Sequence, residues 1–168
     1  MLKTWLHLMI FLCAFFSETI AAQSFELPLE ITNGKYSQVL TIGMHEFGSS
    51  NLDPDLDVLS PPAPPAGAFD ARLRASKPSN DFYKDIRQSD ADTTTFAVLF
   101  QIAQQDSALM LKWDSTRVAA FDAAMITDNV TGELFAYDMK EANALNVSGE
   151  VLLKNTGSLR IVIVPGKK

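Results

Sequence analysis

Asp53, Asp55 and Asp57 stand at alternate positions of the stretch Asp53-Pro54-Asp55-Leu56-Asp57. Hard oxygen donors at that spacing on an extended loop are a set that Ca²⁺ can use. An EF-hand is excluded, because Val58 occupies the glycine position of such a loop and Pro64 the position of its bidentate glutamate. The competing reading is a solvated acidic loop whose aspartates cap turns. The expected cofactor set is therefore none, with Ca²⁺ the one ion the spacing admits. His45 is the only histidine after the first 22 residues, and Glu46 follows it. An imidazole there has the chemistry of a general base, but no Gly-x-Ser-x-Gly, Ser-x-x-Lys or His-x-x-x-His pattern accompanies it. The expectation is a surface histidine and no enzymatic activity. Phe47 and Tyr83 lie in loop-like surroundings and are the aromatic rings best placed to stack on a sugar. Trp113 alternates with Leu109 and Leu111, which assigns it to the core instead.

These side chains are positioned by a chain that opens with an export signal. Lys3 supplies the positive start and Leu6 to Phe16 an apolar run broken by His7. Ala21 and Ala22 offer small residues before Gln23. The apolar run is too short to span a membrane. Residues 1–22 are read as a signal peptide and 23–168 as a single domain, with an extracellular, cell-surface or periplasmic destination. Cys13 is the only cysteine and leaves with the signal. That excludes a cysteine nucleophile, a thiolate metal site and a disulfide scaffold. The net charge of −6 comes from scattered acids, which argues against nucleic acid or an anionic membrane as partner.

The period-2 pattern predicts strands throughout. Phe25 to Thr32 is a first strand, with Pro28 placing it at an edge. Asn33-Gly34 signals a type I′ turn into Tyr36 to Glu46, giving an N-terminal hairpin over 23–47. A connector over 48–67 follows. Four of the eight prolines (Pro61, Pro62, Pro64 and Pro65) fall in it within five residues, so neither a helix nor a central strand survives there.

The body runs over 68–168. In its first strand, Phe69, Ala71, Leu73 and Ala75 share one face and Asp70, Arg72 and Arg74 the solvent face. Phe82 to Arg87 is a short strand, and Thr93 to Ala103 a central strand buried on both sides. Leu109 to Trp113, Phe121 to Thr127 and Glu133 to Asp138 follow, although Ala119 to Met125 would also tolerate a helix. Lys140 to Leu145 has room for one helical turn. Val147 to Lys154 and Ser158 to Pro165 form a closing hairpin around Asn155-Thr156-Gly157. Short strands at regular spacing, with turn residues between them, predict an all-β, immunoglobulin-like antiparallel β-sandwich. Asn129-Val130-Thr131 and Asn146-Val147-Ser148 match the glycosylation sequon and are read as ordinary turn residues.

Several of these segments together resemble a β-sandwich module of secreted bacterial multidomain proteins. The matching residues are Ile42-Gly43, the Asp-spaced loop, the Pro-Pro-x-Pro-Pro segment and Phe69-Asp70-Ala71-Arg72. Leu111-Lys112-Trp113-Asp114, Asp128 with Thr131-Gly132, Asp138-Met139 and Arg160-Ile161-Val162-Ile163 extend the likeness over most of the chain. The resemblance implies an accessory, immunoglobulin-like module without catalytic activity. The functional expectation is a secreted, non-enzymatic structural or interaction protein with a protein partner or self-association. The connector either carries the chain across one sandwich from the hairpin to the body or holds the hairpin out, where it could add a strand to a neighbour's sheet. A carbohydrate-binding module is the alternative, and an enzyme of unrecognised type, probed at His45, stands behind it.

Overall fold

Alternating burial builds eleven strands in the computed structural model, which describes residues 24–74, 81–89, 91–101, 108–148 and 157–166. The export signal read over 1–22 lies outside these residues. The strands are β1 (Phe25–Thr32), β2 (Ser37–His45), β3 (Val58–Leu59), β4 (Asp70–Arg74), β5 (Asp81–Gln88) and β6 (Thr94–Gln101). They continue with β7 (Ala108–Lys112), β8 (Ala123–Asp128), β9 (Ala136–Asp138), β10 (Ala144–Ser148) and β11 (Ser158–Val164). A single 3₁₀ turn, Ser115–Arg117, is the one helical element among the described residues.

The protein is all-β. Its strands form one curled mixed sheet in the order β10-β7-β1-β2-β5-β4-β6-β11-β8-β9, with β3 on β5. Every neighbouring pair is antiparallel except β2 and β5, which run parallel. The turn comes at β5. Lys84 faces Thr41 of β2 and Val58 of β3, while Phe82 faces Leu73 of β4 and Leu59 of β3. Thus β2 and β4 share one edge of β5 end to end, and the sheet changes direction there. The two end strands, β9 and β10, are consecutive in sequence and joined by residues 139–143. Leu27, Leu29, Ile31, Leu40, Ile42, Phe96, Val98, Ile126, Ile161 and Ile163 fill one core inside the curl. Cutting Phe96 to alanine there would cost about 3–5 kcal/mol. Trp113 belongs to this core and donates from Nε1 to the Met139 carbonyl at 2.8 Å, tying the β9–β10 link to the far side of the curl.

Several expectations are corrected. The hairpin is not held out on a tether: β1 lies between β2 and β7, and β2 between β1 and β5. Pro28 does not make β1 an edge strand, because pairing with β7 begins only at Glu30 and leaves the missing proline amide unneeded. The β1–β2 turn is longer than the expected two residues. Thr32 pairs with Ser37, and the Asn33 carboxamide accepts from the amides of Lys35 and Tyr36, leaving Gly34 at φ 85°.

On the polar face of β4, Asp70 and Arg72 are also buried, while Arg74 is exposed. Arg72 donates to Asp70 at 2.6 Å and to Asp81 at 3.2 Å, and reaches Ser60 and the Pro61 carbonyl. Gln101 donates to the carbonyls of Pro64, Pro65 and Ala68. The proline-rich connector is therefore clamped down on the body at both ends. The Pro61–Pro65 run has few amides to offer, so body side chains bind its carbonyls instead.

The expected closing hairpin is altered as well. Val147 sits in β10 and pairs with β7, while β11 pairs with β6 and β8. Residues 149–156 lie outside the described residues. Strand β10 begins at Ala144, so the helical turn expected over Lys140 to Leu145 is a tight turn and the start of a strand.

Candidate functional site

The loop between β2 and β3 begins with a tight turn. Gly48 donates to the His45 carbonyl at 3.0 Å, and the Phe47 amide donates to His45 Nδ1 at 3.2 Å. That nitrogen is committed to the backbone, so His45 holds a turn. Gly48 presses against β5: a Cβ there would sit 2.6 Å from the carbonyl oxygens of Ile86 and Arg87. Gly43 leaves the space that the Ile86 side chain occupies.

Asp53 Oδ2 then accepts from the Ser49 amide at 2.7 Å. Asp57 Oδ2 accepts from the Asp53 amide at 2.8 Å, while the Asp57 amide donates back to the Asp53 carbonyl. Asp57 Oδ1 accepts from the Ile86 amide at 2.8 Å. This carboxylate continues along β5 the edge that β3 covers only at Phe82 and Lys84. Of the three sequence-selected aspartates, Asp57 is buried, Asp53 half-buried and Asp55 exposed. The structure joins the first two through the backbone and sets Asp55 on the outside. Among the described residues no group of three or more His, Cys, Asp or Glu side chains is arranged to hold a metal.

Beneath the loop lies a fourth carboxyl that the sequence reading did not select. Asp85 is buried and ion-paired with Arg87 at 2.8 Å. The Arg87 guanidinium also donates to the Thr95 carbonyl and lies over the Phe96 ring, 4.7 Å from its centroid. Burial pushes Asp85 up despite the Arg87 partner. Burial also pushes Asp57 up, against its two amide donors, and the charges of Asp85 and Asp53 add to the shift. Between this loop and the start of β6 lies a cleft of about 200 Å³, lined by Ser50, Gln88, Thr93 and Thr95. Arg87 lines it too, with its charge already matched by Asp85.

A second loop, after β8, is built on Asp128. This carboxylate is fully buried. Oδ1 accepts from the amides of Val130 and Thr131 at 3.0 and 2.8 Å, and Oδ2 from Leu134 at 2.9 Å. Burial alone would raise Asp128, but the amides of Thr131, Gly132, Leu134 and Val130 hold it well below the usual carboxylate range. Asn129 donates to Ser158 and Arg160 to the Asn129 carbonyl, fixing the loop on β11. The sequon residues Asn129 and Thr131 thus serve the turn. The two loops sit toward opposite ends of β6. Ser50 meets its start, while Asp128 pairs with Leu159, which faces Val98 near its end.

Both loops are inside out. Asp53, Asp57 and Asp128 turn onto backbone amides, and most of the large apolar side chains around them face water. Phe47 is 74 % exposed and Val58 50 %, with Leu52 and Leu59 also exposed; on the second loop Val130 is 59 % and Leu134 64 % exposed. Six of the nine large apolar side chains exposed among the described residues lie on these two loops. Of the rings selected for sugar stacking, Phe47 is on this surface, 5.5 Å from the His45 ring, whereas Tyr83 is half-buried and packs on the core. The signal for this arrangement was present in Asp53-x-x-Leu56-Asp57-Val58 and in Asp128-Asn129-x-Thr131-Gly132, both aspartate-led turn patterns with apolar residues inside them. No protein-family model, no curated protein and no solved structure matches this chain.

Proposed function

We propose that this chain is a secreted, non-enzymatic interaction module of immunoglobulin-like character. Its contact surface is the loop over 46–59. The observation that carries this reading is the inversion of that loop, which turns the carboxylates of Asp53 and Asp57 onto backbone amides of the loop and of β5 and displays Phe47, Leu52, Val58 and Leu59. A solvent-facing loop gains nothing in stability from exposed apolar groups. Held rigidly, the same groups form a preorganised docking surface, which lowers the ordering cost of binding. Assembly by strand addition would pass to the end strands β9 and β10, since β1 and β2 are enclosed by their neighbours.

The test is chemical crosslinking and sedimentation of the native protein beside a variant carrying Phe47→Ser and Leu52→Ser. A crosslinked complex or self-associated species that disappears in the variant supports the reading. A strict monomer without crosslinks, or a complex indifferent to both changes, overturns it. A glycan array on the same pair tests sugar stacking by Phe47, the residue on which that alternative rests.

A further inference from the structure

We infer that the 46–59 surface takes a protein segment in which apolar side chains alternate with basic ones; this rests on the interaction reading above. The argument is one of charge. Residues 46–59 contain Glu46, Asp53, Asp55 and Asp57 and no lysine, arginine or histidine. Asp57 is turned inward and Asp53 is committed to Ser49. Glu46 and Asp55 are exposed, and among the described residues no ion pair involves either. The cations of neighbouring β5 are already matched, Lys84 by Glu26 at 2.7 Å and Arg87 by Asp85.

The displayed surface is therefore apolar and negative at once. Phosphate-bearing partners, whether nucleic acid or an anionic bilayer, are repelled by Glu46 and Asp55. A cationic, apolar peptide surface is attracted by the same two charges. An arginine from it would find the exposed face of Phe47 for a cation–π contact. The short β3 and the amide-pinned turn keep these groups in one arrangement before the partner arrives.

The inference is tested by amide NMR titration of the protein with three short synthetic peptides. One alternates Leu or Phe with Lys or Arg. The second carries Glu in place of the basic residues, and the third Ser in place of the apolar ones. Only the first is expected to saturate, with shifts at Gly48, Leu52, Val58 and Leu59, and its affinity falls with added salt. Glu46→Gln with Asp55→Asn weakens it roughly five- to tenfold, with the melting temperature unchanged. Equal binding of the acidic peptide, shifts mapping elsewhere, or no binding at all overturns the inference. If Phe47→Ser with Leu52→Ser abolishes binding but the charge-removing pair does not, the docking surface stands and the basic partner falls. If neither pair matters, both fall.

Discussion

Asp57 and Asp128 do the same job in opposite surroundings. Each organises a loop by accepting backbone amides, and each loop turns apolar side chains outward. Asp128 receives amides from Val130, Thr131, Gly132 and Leu134. Asp57 receives two, and shares its surroundings with Asp53 and Asp85. One carboxyl is consequently held below its usual value and the other pushed above it. Donor count against the cost of burial, to which neighbouring charge adds at Asp57, decides whether a buried aspartate is a firm anchor or a conditional one.

The largest expected effect breaks the firm anchor. Asp128→Ala removes the buried acceptor on which the amides of its turn converge, and should lower the melting temperature by roughly 5–10 °C. Asp57→Ala, which frees the amides of Asp53 and Ile86, should cost about 1–2 kcal/mol by chemical denaturation. Asparagine at each position sharpens the contrast. It removes one acceptor in both cases, but at 57 it also removes repulsion from Asp53 and Asp85. The Asp57→Asn loss should be less than half the Asp128→Asn loss at neutral pH, and equal losses would refute the comparison.

Acidification separates the loops without mutation. Asp128 has a depressed folded pKa, so its contribution is complete above the unfolded value near 3.8 and is lost as pH falls below it. Asp57 and Asp85 have raised folded values. The unfolded chain ionises first, so their contribution is greatest in acid and declines as pH rises from about 3.8 through the raised values. Amide exchange protection at Ile86 should therefore increase as pH is lowered from neutrality toward 4.5, while protection at Leu134 stays constant. A parallel response at the two amides would mean that the loops share one opening event.

Glycines give the next contrast. Gly48→Ala meets two fixed carbonyls of β5 and should displace the loop at about 1–3 kcal/mol. A Cβ on Gly132 would meet only ordinary contacts, Arg160 at 3.9 Å and Thr127 at 4.0 Å, and φ there is 78°, so Gly132→Ala carries only the left-handed backbone penalty, about 1 kcal/mol.

The strands were legible because their burial alternates. Leu27, Leu29 and Ile31, or Phe96 and Val98, follow the period that the residues announce. The path of the sheet was not, for a physical reason. Nothing in Phe82 to Arg87 marks the strand as parallel to β2, since that pairing is set by where the connector delivers the chain. Asp70 and Arg72 read as a solvent face because each is charged. They are buried because the connector, with its amides removed by proline, needs side-chain donors beneath it. At the loop, Asp53, Asp55 and Asp57 were selected together by spacing, but only Asp53 and Asp57 have amides within reach, and Asp85 entered from another strand.

The smallest expected effect on stability is the most informative about function. Phe47, Val130 and Leu134 are mostly exposed, so changing any of them to serine should move the folding free energy by no more than about 0.5 kcal/mol. Phe47 loses its ring contact with His45, and its amide bond to that imidazole survives the change. If these residues shape the loops, their removal will loosen them and denaturation will report it. If they are displayed for a partner, stability will hold while association changes. It should change for Phe47→Ser and Leu52→Ser in the acidic first loop. The second loop has a single exposed acid, Glu133, and holds the Arg160 cation on its Asn129 carbonyl, so Leu134→Ser should leave association with a basic partner unaffected. A loss of association from both loops alike would dissolve the difference between them and make the whole curled surface the interface.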